Sequence, residues 1–220
     1  MTTNLEASPA QTARPGVGQL TAGGATGNER LTVAAGVMLL LPLAVIGVTI
    51  ISLRNLLWVH LFVGMLLIGP VALKLGSTGY RFIRYYSGNP SYRRVGPPAA
   101  LLRLIAPMVV LSTVVVLASG VALLFAGPSS RDTLLPIHKI SFIVWAAFTG
   151  VHLLGHLPAI PKALRADYGA SAQWSHDTTG RAGRIISLAG ALIAGVVLAI
   201  LLIPEFGPWV HASGLFHHHH

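Results

Sequence analysis

The chain has no cysteine. Disulfides, thiolate metal sites, iron–sulfur clusters and covalent c-type haem attachment are therefore excluded. Acidic residues are almost as scarce, with 6 Asp and Glu in 220 residues, and none falls inside the long apolar runs. That argues against a cation transporter built on membrane carboxylates. Charged residues of both signs make up 10% of the chain, far below the quarter typical of a soluble domain. The residues between 174 and 184, WSHDTTGRAGR, contain glycine but no phosphate-loop or dinucleotide fingerprint.

What is present in quantity is apolar sequence, 53% of the chain. Crossing a bilayer takes about 20 consecutive apolar residues. Five stretches reach that length: Leu31–Leu53, Asn55–Leu75, Leu101–Phe125, Leu134–Leu157 and Ala182–Ile203. The expected fold is an all-α integral membrane protein, a bundle of five transmembrane helices spanning residues 31–203. The first two helices are joined so tightly at Arg54 that they must form a hairpin. Residues 1–30 are rich in Ala, Gly, Thr and Pro and read as a disordered tail. Residues 204–220 read as a short external tail, its closing HHHH a purification-tag remnant.

The net charge of +9 is an orientation signal in such a chain rather than a nucleic-acid footprint. Of the 15 Lys and Arg, only Arg54, Arg131 and Lys139 fall on the side of the 1–2 and 3–4 connections. The positive-inside rule then places the N-terminus in the cytoplasm and the C-terminus outside, in a multi-pass protein of the inner or plasma membrane. The segment 79–98, which interleaves Arg with Tyr, reads as an interfacial belt on anionic lipid. The other reading of that segment is a docking rim for a redox partner or quinone.

Histidine inside these spans is the chemical signal, because an ionisable side chain in a bilayer is costly and marks function by default. His138 and His152 are fourteen residues apart. At about 100° and 1.5 Å per residue they share one helix face, about 21 Å apart. Phe142, Trp145 and Thr149 lie between them on that face. His60 lies as deep in the second helix as His138 does in the fourth, and the two helices run the same way. Two imidazoles at one depth can bind one iron from opposite sides, as a haem b used for electron transfer requires. Gly64, one turn from His60, leaves room for a flat macrocycle. Arg54, Arg131 and Lys139 can neutralise its propionates. His156 extends the face by one turn, and its spacing from His152 can also hold zinc, although no HExxH glutamate is present. The depth partner of His152 on the second helix is Lys74, which can snorkel to the headgroups, reach a propionate or, if deprotonated, bind iron. His176 and His211 read as solvated surface residues.

The stretches WVHLFVGMLL (58–67), ASGVALLF (118–125) and the His138-to-His152 interval resemble the bacterial di-haem membrane cytochromes b, including hydrogenase cytochrome b subunits. The resemblance covers helices one to four. It implies an outer haem on His60 and His138 and an inner haem with His152 as one ligand. The family's other inner ligand is a histidine of the first helix, and Leu31–Leu53 has none. One haem b is therefore expected, with two as the alternative. The implied function is electron transfer between quinone or another membrane donor and a redox protein, as an electron-transfer subunit of an oxidoreductase. Two readings compete with it: a small transporter or metal-ion carrier using a histidine track, and a structural membrane subunit without cofactor. The fifth helix has no chemical side chains in its span, and Gly190 and Gly195 suit it to close packing.

Overall fold

The structure, a computed structural model, describes residues 24–93, 100–156 and 180–214. Five of its helices are long and apolar enough to cross a membrane. They are α1 (Gly24–Ile51), α2 (Leu53–Tyr86), α3 (Ala100–Ala126), α4 (Arg131–His156) and α5 (Arg181–Leu201). A 3-10 turn, Ile203–Phe206, leads into a short helix, α6 (Gly207–Gly214). No strand occurs among the described residues. The chain is thus an all-α, multi-pass membrane protein.

Boundaries differ from the sequence reading where polar residues extend an apolar run. α1 begins at Gly24, so residues 24–30 are helix rather than tail. Asn28 Nδ2 donates to the Ser77 carbonyl (3.1 Å), and Glu29 lies 3.9 Å from Arg81. Those contacts hold the extra turns against α2. α2 bends at Leu56 and then runs on through Tyr86, rising about 45 Å beyond the bend, more than a hydrocarbon core of about 30 Å. Much of the supposed 79–98 loop is therefore helix, and Pro90–Arg93 forms a further helical turn. Residues 94–99 and 157–179, including His176, lie outside the described residues, as do 1–23 and 215–220.

The direction of each helix follows from its contacts. Asn28 meets Ser77 and Thr49 meets His60, so α1 and α2 are antiparallel. The reversal is at Ser52, whose carbonyl accepts from the amides of both Asn55 and Leu56, and Leu56 is non-helical. Ser119 meets His138 and Thr113 meets Trp145, making α3 and α4 antiparallel too. α5 packs along α2, where two glycines bring the backbones together. A Cβ on Gly69 would collide with the Ala191 carbonyl and Gly195, and one on Gly195 with the Leu66 carbonyl. Gly190, by contrast, faces open space. Without a hydrophobic drive between helices in lipid, such close backbone approach is a main source of association.

Two sub-bundles result, α1–α2–α5 and α3–α4, with only thin packing of α2 on α3 between them. One core joins them at the Ser52 end. It contains Met65 of α2, Leu124 of α3, Ala199 of α5 and Phe206 of the 3-10 turn. Phe206 is 1% exposed, and Trp58 packs edge-on against it. The Trp209 indole N–H donates to the Leu124 carbonyl (3.4 Å), one of the orphan acceptors at a helix C-terminus. Residues 204–214, expected as part of a tail, instead cap this end.

Candidate functional site

The structure brings His60 and His138 together. Their ring centroids are 6.5 Å apart and their planes meet at 83°. Each ring is half-buried and each is held by a hydroxyl from the neighbouring antiparallel helix. His60 Nδ1 lies 2.9 Å from Thr49 Oγ1 of α1. His138 Nδ1 lies 3.0 Å from Ser119 Oγ of α3. Ser119 is in turn 3.2 Å from Ser141 Oγ, one turn along α4 from His138. Thr49 and Ser141 are 1% and 7% exposed, whereas Ser119 is half-buried.

Two glycines shape the surroundings. A Cβ on Gly120 would come within 3.2 Å of His138 Cε1. The bare backbone of α3 is therefore what lets that ring lie where it does. Gly64, one turn along α2 from His60, has nothing within 4 Å of where its Cβ would be. Further along the seam between α2 and α3 runs an apolar cleft of about 280 Å³, lined by Ile68, Val71, Ala72 and Leu75 opposite Val114, Leu117, Ala118 and Val121. Its Ala118 and Val121 flank the Ser119–Gly120 pair that touches His138.

The remaining residues singled out from the sequence are spread around this pair. Arg54, Arg131 and Lys139 are exposed at the same end of the bundle as His60 and His138. Lys74 is drawn the other way: its Nζ donates to the Thr32 carbonyl of α1 at 2.6 Å and lies against Gly36. His152 is half-buried on α4, and His156 is the last residue of that helix. Between His138 and His152, Trp145 donates its indole N–H to Thr113 Oγ1 of α3 (3.0 Å). Phe142 packs on Trp145, while Thr149 Oγ1 is buried without a hydrogen-bond partner. His211 is exposed on α6.

Among the described residues no three His, Asp or Glu side chains gather as a metal site. What the structure places together there is a pair of imidazole rings. Sequence reasoning missed Thr49, Ser119 and Ser141. Hydroxyls in apolar spans do stand out, but which ring each would meet depends on helix register. Compared with protein-family models, with curated proteins and with solved structures, the chain matches none.

Proposed function

We propose that this protein is a membrane b-type cytochrome that carries electrons on a haem b held between α2 and α4. One observation carries the reading: the 6.5 Å between the centroids of His60 and His138. At that spacing both imidazoles could reach one metal centre lying between them. The donor set fits in other ways. Nδ1 is the engaged nitrogen in both rings, which leaves Nε2 for iron. The flank of His60 is open at Gly64.

Haem supplies one-electron chemistry, its iron cycling between ferric and ferrous states. The chain's residues set the conditions for that cycle. His60 and His138 would hold the haem iron, and Arg54, Arg131 and Lys139 would offer cations to its propionates. The apolar α2–α3 seam excludes water and lowers the local dielectric, one lever on the potential. One haem per chain is the stoichiometry this arrangement favours, because Lys74 is committed to α1 at the other end. With the basic segments in the cytoplasm, the haem lies near the outer surface. Electrons would pass there between quinone or another membrane donor and a redox protein.

The test is optical. A dithionite-reduced minus oxidised spectrum of the purified protein is expected to show sharp b-haem bands, with one haem per chain by pyridine haemochrome. His60→Ala and His138→Ala are each expected to remove the bands entirely. A colourless wild-type protein, or bands that survive both substitutions, would end this reading.

A further inference from the structure

We infer that Thr49 and Ser119 are positioning residues that fix both imidazoles with the proton on Nδ1, so that each ring keeps Nε2 as a bare lone-pair donor. The consequence for haem rests on the reading above. The tautomer assignment itself rests only on a count of protons and acceptors.

At His60, Thr49 Oγ1 lies 2.7 Å from the Ile46 carbonyl and 2.9 Å from Nδ1. A carbonyl can only accept, so a hydrogen bond there uses the single hydroxyl proton. If Nδ1 carries the ring proton, it donates to Thr49 while Thr49 donates to Ile46, and both bonds form. If Nδ1 is bare, Thr49 must choose between its two neighbours and one bond is lost. Thr49 is sealed from solvent, so nothing replaces the lost bond, and in a low dielectric that difference decides.

The same arrangement recurs on a different helix pair. Ser119 Oγ donates to the Val116 carbonyl (3.0 Å) and lies 3.0 Å from His138 Nδ1. Ser141, its other neighbour, has its own proton directed to the His138 carbonyl (2.9 Å). Ser119 and the Val116 carbonyl, which also has a hydrogen bond with the His138 ring, are thus both placed to accept its N–H. A hydroxyl from α1 orients the ring on α2, and a hydroxyl from α3 orients the ring on α4. Each has already given its proton to a carbonyl of its own helix. Metal-binding histidines characteristically donate their second N–H to such an acceptor, which fixes the ring and raises its basicity.

Thr49→Val keeps the shape and removes the acceptor, and Ser119→Ala does the same at the other ring. Each variant is expected to bind haemin about 10- to 100-fold more weakly in the haem-depleted full chain. The haem that remains is expected to have a higher midpoint potential and shifted ferric EPR g-values, since less basic ligands favour ferrous iron. Thr49→Ser and Ser119→Thr are expected to restore all three, which a role in packing alone would not produce. Wild-type haemin affinity and potential in both Thr49→Val and Ser119→Ala would overturn the inference. Nitrogen-15 NMR of histidine-labelled, haem-depleted wild-type protein reads the tautomers without any variant. Protons on Nδ1 of both rings support the assignment, and protons on Nε2 refute it. A wild-type protein that never contains haem but shows both Nδ1 protons would sink the cytochrome reading and leave the hydroxyl roles standing.

Discussion

At the Ser52 end of the α1–α2 hairpin, Thr49 and His60 face a matching pair, Ser119 and His138, on the α3–α4 hairpin. At the other end, the polar atoms of α1 and α2 satisfy one another. Lys74 donates to the Thr32 carbonyl, Asn28 to the Ser77 carbonyl, the Thr32 hydroxyl to the Asn28 carbonyl (2.8 Å), and Ser77 Oγ, 3.1 Å from the Thr32 hydroxyl, to the Lys74 carbonyl. The sequence spacing at the two ends is the same, fourteen residues from His60 to Lys74 and from His138 to His152. What differs is the side chain on α2. An imidazole is short and rigid, and its unengaged nitrogen can only meet what lies across the seam. A lysine is long, with three donors, and it reaches back to a carbonyl on its own hairpin. Equal spacing therefore builds an open pair of donors at one end and a closed hydrogen-bonded lock at the other.

The largest effect is expected where the sub-bundle bearing His60 is held together. Gly195→Leu must force α5 off the backbone of α2 at Leu66 and Gly69. The expected loss is ~3 kcal/mol or more, measured by unfolding in mixed micelles, with the haem bands lost alongside. Gly190→Leu, pointing into open space, is expected to change stability by less than about 0.5 kcal/mol. Equal losses in the two variants would mean that the α2–α5 contact is not as described. Next comes the cap over the histidine end. Phe206→Ala empties a fully enclosed aromatic site among Met65, Leu124 and Ala199. A cost of about 3 kcal/mol is expected. Because the cap closes the same end as His60 and His138, faster reduction of the proposed haem by hydrophilic reductants should accompany it.

Five spans could be read from the sequence because each is a long apolar run with no competing interpretation. The histidine pair was readable for a narrower reason: both lie early in helices that run the same way. What was hidden depended on partners. Residues 24–30 look like tail until Asn28 and Glu29 meet Ser77 and Arg81. Residues 79–86 look like loop because Gly76, Gly79 and the Tyr–Arg alternation suggest an interface, yet the helix persists through them. Phe206 looks like a tail residue until the α2–α3–α5 junction encloses it. Of the two glycines picked out on α5, only Gly195 is used, a distinction that requires the register of α5 on α2. Thr49 and Ser119 were missed for the same reason.

A smaller effect is expected midway along α3 and α4, where Trp145 and Thr113 form a hydrogen bond between helices. A double-mutant cycle of Trp145→Phe and Thr113→Val should give a coupling near the ~0.6 kcal/mol average for such bonds in membranes, with the haem spectrum unchanged. A coupling indistinguishable from zero would mean that α3 and α4 are held by their apolar contacts alone.

The smallest expected change is at the locked end, and it discriminates most sharply between one haem and two. If Lys74 and His152 jointly held a second iron, Lys74→Met or His152→Ala would halve the haem content of a two-haem protein. With Lys74 bound instead to the Thr32 carbonyl, haem per chain should stay at one in wild type and in both variants. The stability cost of Lys74→Met should also be small. The lost charge-assisted hydrogen bond, ~1.5–3 kcal/mol, is offset by no longer holding an ammonium without a carboxylate in a half-buried site. Methionine also fills the space beside Gly36 that the lysine stem occupies. A net change within about 1 kcal/mol is expected, measured in the same micelles as Gly195→Leu. Two haems in wild type and one in either variant would show that the second end is open as well, and that the lock at Thr32 gives way when haem is bound.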